Sequence, residues 1–211
     1  MKIEIGITWF PRKVETFQTM QHNVFHPDCT VYPDGHTFPH RTDFQVKELG
    51  DHAGCFKHYY RVLEDLVKTD ADIVGIFPDD VKLRQGWQNI VERQFAINPY
   101  VGYLALYTPK GMANKFPNTK GWHELKGGWA SSWGGGYLFR REVAEKILKH
   151  PYILNHRDNY AKNQQIDHAI PEAVHQMGYL QFFHTPSLIQ HIGRFSTIGH
   201  EHRRIDDAIG W

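Results

Sequence analysis

Four short stretches of the chain carry side chains suited to chemistry. Phe77-Pro78-Asp79-Asp80-Val81 sets two adjacent carboxylates directly after a run of apolar residues. Neighbouring carboxylates repel unless a cation or a helix N-terminus compensates them, and a hard divalent ion, Mn²⁺ or Mg²⁺, suits such an oxygen pair. Either aspartate serves equally well as a cap for the turn that follows. Much later, Pro186-Ser187-Leu188-Ile189-Gln190-His191-Ile192-Gly193 presents one imidazole with a glycine close behind it. Neutral histidine is a competent ligand for Mn²⁺, and a single histidine in an apolar stretch is otherwise a hydrogen-bonded core residue. Trp129-Ala130-Ser131-Ser132-Trp133-Gly134-Gly135-Gly136 combines flat aromatic faces, on which sugar rings or bases stack, with glycines that allow close backbone approach. A glycine-rich loop anchored by aromatics has the same composition. Gln164-Gln165-Ile166-Asp167-His168 opens a helical pattern, and Asp167 fits both a general base and a carboxylate favoured by the helix dipole.

The elements that must position these residues are legible from periodicity. Ile3, Ile5 and Ile7 alternate with Lys2, Glu4 and Gly6, and the run ends at Phe10-Pro11-Arg12, a strand delivering a loop. Residues 28–32 form a short strand closed by Pro33-Asp34-Gly35. Phe56, Tyr59, Tyr60, Leu63, Leu66 and Val67 lie on one helical face, followed by the apolar strand Ile73-Val74-Gly75-Ile76-Phe77 that ends in the two aspartates. Trp87, Ile90, Val91 and Phe95 mark a helix, and residues 101–107 a strand. Residues 108–136 show no clear period and read as a substrate-facing insertion. A strand at Tyr137-Leu138-Phe139, a helix through Val143 to Leu148, and a polar loop through Asn155 and Arg157 follow. The next helix spans residues 164–177, with Pro171 interrupting it and Gly178 stopping it. Residues 179–183 make the last expected strand, and the tail from His184 on, rich in His and Arg, is expected to be irregular.

Alternating strands and helices predict one α/β domain with a mostly parallel central sheet flanked by helices. Residues 1–107 would form the donor-binding half, and residues 108–211 the acceptor half with the tail. The 211 residues suffice for one sizeable core, and 24 Lys+Arg against 23 Asp+Glu leave no global pull toward nucleic acid or anionic lipid. The apolar runs are too short for a membrane span, so a soluble, cytoplasmic protein is expected. Two cysteines, Cys29 and Cys55, cannot make a disulfide framework or a multi-cysteine zinc site and are expected as buried thiols. There is no Gly-Lys-Ser/Thr phosphate loop and no G-x-G-x-x-G at the first strand, which excludes the usual NTPase and dinucleotide signatures.

Taken in order, these segments resemble GT-A-type glycosyltransferases. The closing PSLIQHIGRFS is similar to the ending of N-glycan-branching N-acetylglucosaminyltransferases, and FPDDV resembles both their acidic motif and that of family 25 galactosyltransferases. The resemblance implies a GT-A-like (Rossmann-like) domain that moves a sugar from a nucleotide-sugar donor, with UDP as the nucleotide, to a hydroxyl acceptor. It places Asp80 at the last acid of the D-x-D motif and His191 at the C-terminal histidine, the two protein ligands of a Mn²⁺ or Mg²⁺ ion. Asp79 falls at the donor sugar and ribose, and Pro78 stands where the motif often has its first acid. Thr8, Pro11 and Arg12 fall where the nucleotide base is held, Lys57 near the donor, and Asp167 where the catalytic carboxylate starts a helix. Trp129, Ser132, Trp133, Gly134 and Gly135 would shape the acceptor pocket, and Arg194, His200, Arg203 and Arg204 could fold over the donor phosphates. The acceptor would be a glycan or another hydroxyl compound. The alternatives are a transferase acting on a hydroxylated DNA base, a non-catalytic sugar-binding module and a metal-dependent phosphoesterase.

Overall fold

The computed structural model describes residues 1–9, 29–35, 45–51, 53, 55–109, 119–126, 136–158 and 166–192. Its elements are β1 (Ile3–Trp9), β2 (Cys29–Pro33), β3 (Gln45–Val46), α1 (Cys55–Leu66), β4 (Ile73–Pro78), β5 (Val81–Leu83), α2 (Trp87–Ile97), β6 (Val101–Ala105), β7 (Gly121–Glu124), β8 (Tyr137–Arg140), α3 (Arg141–Lys149), α4 (Pro151–Asp158), α5 (Ile166–Gln176), β9 (Leu180–Thr185) and β10 (Ile189–His191).

Eight strands make one sheet in the order β3-β2-β1-β4-β8-β6-β9-β7, and β5 pairs with β10 in a small second sheet. β3, β2, β1 and β4 are parallel, β8 is inserted antiparallel between β4 and β6, β9 is parallel to β6, and β7 is antiparallel at the edge. The expected α/β architecture with a mostly parallel, helix-flanked sheet is therefore the observed one. Alternation along each strand divides the interior into two cores. On one face Ile5, Ile7, Trp9, Phe77 and Leu104 pack with α2 and with Val81, Leu83, Leu188 and Ile189 of the small-sheet layer. On the other, Val74, Ile76, Tyr103 and Phe139 pack with α1, α3, α4 and α5. No described helix is long and apolar enough to cross a membrane.

Several expectations are corrected in detail. Asn155 and Arg157 lie in α4 rather than a loop: Pro151 begins this helix, where a missing N–H costs nothing, and Ile153 and His156 are buried beneath it. Pro171 does not end α5. It can offer no N–H to the Asp167 carbonyl, but the rest of the helix continues, and Gln181 Nε2 donates to the Pro171 carbonyl at 2.8 Å. The helix stops where the sequence says: Gly178 has φ 77°, its N–H donates to the His175 carbonyl (2.9 Å), and the Tyr179 N–H reaches back to the Val174 carbonyl (3.2 Å). The segment after Phe183 is not irregular, since β9 continues to Thr185 and β10 follows. The supposed unpatterned insertion contains β7. Cys29 is a buried free thiol as expected, while the side chain of Cys55 lies outside the described residues.

Gly136 leads into β8 with φ 122°, and a Cβ there would stand 2.7 Å from Ile189 Cδ1 and 2.9 Å from Phe77 Cδ1. Ile189 belongs to β10 and Phe77 to β4, so this close approach seats the small sheet on the large one. Gly136→Ala should cost about 2–4 kcal/mol in urea unfolding, from overpacking plus an unfavourable backbone conformation. A loss below about 0.5 kcal/mol would show that β10 is not held there.

Candidate functional site

In a parallel sheet with helices on both faces, ligands bind beyond the carboxyl ends of the strands. Here that edge gathers the ends of β1, β2, β4, β6 and β9 and the starts of β7 and β8. It also receives the N-termini of α1 and α5, because each of these helices runs back to feed a strand from the opposite edge.

β4 delivers Asp79 and Asp80 to this edge, each only 1% exposed. The chain then turns into β5, whose Val81, Lys82 and Leu83 pair antiparallel with His191, Gln190 and Ile189 of β10. The Ile192 N–H donates to the Asp80 carbonyl at 2.8 Å, extending the ladder by one bond. The pairing brings His191 Nε2 to 3.0 Å from Asp80 Oδ2, with the ring part-exposed and the carboxylate buried. Two residues separated by more than half the chain thus touch.

β10 is held from behind as well. The Leu188 N–H donates to the Leu106 carbonyl (3.0 Å) and the Arg84 N–H to the Leu188 carbonyl (2.9 Å). Ser187 Oγ, fully buried, accepts the Thr108 N–H at 3.0 Å and lies 2.7 Å from the Ile189 carbonyl. Among the described residues no group of three or more His, Cys, Asp or Glu side chains converges. The Asp80–His191 pair offers one hard oxygen and one imidazole nitrogen, a donor set compatible with Mn²⁺ or Mg²⁺ when phosphate oxygens and water supply the remaining positions. At 3.0 Å the two side chains are in direct hydrogen-bonding contact, close enough that both would reach one ion.

The other expected site residues fall as follows. Thr8 pairs with Pro78 across β1 and β4, and its hydroxyl donates to the Phe77 carbonyl at 3.4 Å, beside the acidic turn. Lys57 is exposed in the first turn of α1, at the same edge. Asp167 sits in the first turn of α5, within the helix layer of the face opposite the small sheet. Burial raises its carboxyl above the usual aspartate range, against smaller opposing effects of a backbone N–H and His168. Pro11, Arg12, Trp129, Ser132, Trp133, Gly134, Gly135, Arg194, His200, Arg203 and Arg204 lie outside the described residues.

Sequence reasoning missed two further groups at this edge. Asp34, 0% exposed at the end of β2, accepts the Ala53 N–H at 2.8 Å and faces His58 Nδ1 at 3.6 Å; His58 Nε2 in turn donates to the Tyr32 carbonyl at 2.8 Å. The only sequence signal was an aspartate just after a strand, and Pro33-Asp34-Gly35 reads first as a turn. The second group, Trp122, His123, His184 and Thr185, comes together through β7–β9 pairing. Its two strands flank expected loops, which hid it.

No protein-family model matches the sequence, and no curated protein matches it. Solved structures do share the architecture. CMP:2-keto-3-deoxy-manno-octonic acid synthetase complexed with CTP is similar with a TM-score of 0.51 and 11% identity, over 87% of this chain and 89% of that one. GalNAc-T7 with UDP, GalNAc and Mn²⁺ is similar with a TM-score of 0.61 and 8% identity, over 92% of this chain and 44% of that one. The fold is GT-A-like. At these identities the likeness is one of fold, and this chain spans less than half of the GalNAc-T7 chain. The comparisons support the GT-A-like fold and not the narrower resemblance to the branching N-acetylglucosaminyltransferases or family 25 galactosyltransferases.

The raised Asp167 pKa has a measurable consequence for stability. A carboxyl that holds its proton more tightly folded than unfolded costs the fold stability once ionised, so the penalty grows as pH rises above the unfolded value of about 3.9 and is complete above the folded pKa. Asp167→Asn should therefore raise Tm near pH 7, with the gain shrinking as pH falls toward about 4. A Tm difference that is constant across this range, or a loss near neutrality, would contradict the assignment.

Proposed function

We propose that the protein is a metal-dependent glycosyltransferase that moves a sugar from a nucleotide-sugar donor, a UDP-sugar, to a hydroxyl acceptor. The observation that carries this reading is the Asp80–His191 contact at the carboxyl edge of a GT-A-like sheet. The neighbouring architectures were solved with CTP in one case and with UDP, GalNAc and Mn²⁺ in the other, which supports a nucleotide-linked donor.

In this reading Asp80 and His191 hold a Mn²⁺ or Mg²⁺ ion, which when bound supplies positive charge where the diphosphate leaving group becomes more negative. Asp79, buried on the same turn, faces the donor sugar and ribose. Thr8, which ties β1 to β4, lies beneath the base, Pro11 and Arg12 also serve the base, and Lys57 lies near the donor at the start of α1. Asp167 orients the acceptor hydroxyl and, in an inverting transfer, takes its proton as the hydroxyl oxygen bonds the anomeric carbon and the bond from that carbon to the diphosphate oxygen breaks, releasing the nucleoside diphosphate. Burial favours this role, because a carboxylate of raised pKa is the stronger base. Trp129, Ser132, Trp133, Gly134 and Gly135 belong to the acceptor side.

The reading is tested by incubating the protein with UDP-, GDP-, CDP- and CMP-sugars, with and without Mn²⁺, and recording thermal shift and donor hydrolysis. Stabilisation by UDP-sugars only with metal is expected. Asp80→Ala should lower kcat/KM by about 10²–10³-fold with an unchanged circular-dichroism spectrum, and His191→Ala should weaken Mn²⁺ activation by about 10–100-fold. Full turnover of Asp80→Ala, or equal stabilisation with and without metal, would refute the assignment.

A further inference from the structure

His184 is a buried imidazole that none of the roles above employs. It stands next to last on β9, at the carboxyl edge, and is 9% exposed. Its neighbour two positions earlier, Phe182, packs into the core that also holds Leu188, Ile189 and Ile192, so β9 turns His184 toward the face that carries the Asp80–His191 pair. Its Nδ1 lies 2.7 Å from the Pro186 carbonyl oxygen. A carbonyl only accepts, so Nδ1 carries the proton and the lone pair of the neutral ring is on Nε2. The backbone is fixed too, with Thr108 Oγ1 donating to the His184 carbonyl at 2.9 Å.

The surroundings keep the ring neutral. Burial pushes its pKa below the usual histidine value, and the charges of Arg84 and His123 act in the same direction, outweighing the Pro186 carbonyl. Next along β9 the Thr185 hydroxyl donates to the Thr119 carbonyl, so it accepts the Nε2–H of His123, on the neighbouring β7, at 2.7 Å. His123 Nε2 is thereby engaged by Thr185, with Thr119 Oγ1 at 3.5 Å beside it, while among the described residues no hydrogen bond to His184 Nε2 is formed. Directly opposite on β7, Trp122 meets His184 with ring centroids 5.0 Å apart and planes at 77°. The indole is part-exposed.

A neutral imidazole in a fixed tautomer, with a lone pair that no described residue occupies and an indole edge-on beside it, is matched to a ligand that offers an O–H and an apolar ring face together. A sugar ring has both. We propose that His184 and Trp122 form an acceptor subsite for a sugar ring, His184 Nε2 accepting the hydrogen bond of a ring hydroxyl and Trp122 covering the C–H face. This rests on the transferase reading for its place in catalysis. It names the acceptor as a carbohydrate and makes His184 a specificity-determining residue, distinct from Asp167, which engages the reacting hydroxyl.

Diethylpyrocarbonate, which acylates unprotonated ring nitrogens, tests the subsite on the full chain without any assay of turnover. Peptide mapping by mass spectrometry near pH 7 should show His184 labelled, and tens of millimolar methyl β-glucoside, methyl β-galactoside or methyl N-acetyl-β-glucosaminide should slow that labelling by about threefold or more. An unlabelled His184, or labelling that none of the three glycosides slows, overturns the proposal; protection by 5-hydroxymethyldeoxyuridine instead would assign the subsite to a nucleobase. In transfer assays His184→Gln should lose about tenfold or more in kcat/KM for the glycoside acceptor while keeping the wild-type thermal shift with UDP and Mn²⁺. Undiminished transfer in that variant defeats the subsite alone. Absence of any nucleotide–metal stabilisation in the wild type defeats the transferase reading, and the labelling result then still decides whether His184 binds a sugar.

Discussion

Two carboxylates buried side by side at the end of an apolar strand set the terms for this molecule. Removing a carboxylate from water costs several kcal/mol unless hydrogen bonds or positive charge compensate it, and adjacent acids add their mutual repulsion. Asp79 and Asp80 are nonetheless sealed at the carboxyl end of β4. Asp80 is answered by His191, on a strand whose backbone pairs with the residues right after the acids.

The rest of the architecture can be understood as support for that contact. β5 and β10 have three residues each, too few to be stable as a free pair. They persist because Val81, Leu83, Leu188 and Ile189 are buried against the large sheet, and because Leu106 and Thr108, just past β6, bond to Leu188 and Ser187, just ahead of β10. The antiparallel β8 matters here too, since Gly136 at its entry leaves the room that Ile189 fills. The ends of β1, β2, β4, β6 and β9 and the starts of β7 and β8 then share one edge of the large sheet.

How much of this was legible in the sequence follows from what each element depends on. α1 and β4 read clearly because their apolar spacing reports local burial: Tyr59, Tyr60, Leu63 and Leu66 share one stripe, and Ile73 to Phe77 are buried on both faces. α4 did not, because its eight residues carry no continuous apolar stripe and it is held by tertiary contacts such as the Tyr60 hydroxyl with His156 Nδ1 at 2.8 Å. β5, β7 and β10 are too short to show a period of two, and what makes them strands is a partner distant in sequence. The site divides in the same way. Asp80 and His191 could be named from their neighbours, whereas the fixed tautomer of His184 depends on a carbonyl two residues on and an indole on another strand, geometry that no spacing encodes.

The separation of the two partners along the chain also bears on how the molecule is made. A polypeptide emerging from the ribosome exposes Asp79 and Asp80 long before residue 191 has been synthesised, so the acids must spend that interval hydrated and the apolar faces of β5 and its neighbours uncovered. Pairing of β10 with β5 converts a solvated turn into a sealed one, and that pairing has to wait for a strand made more than a hundred residues later.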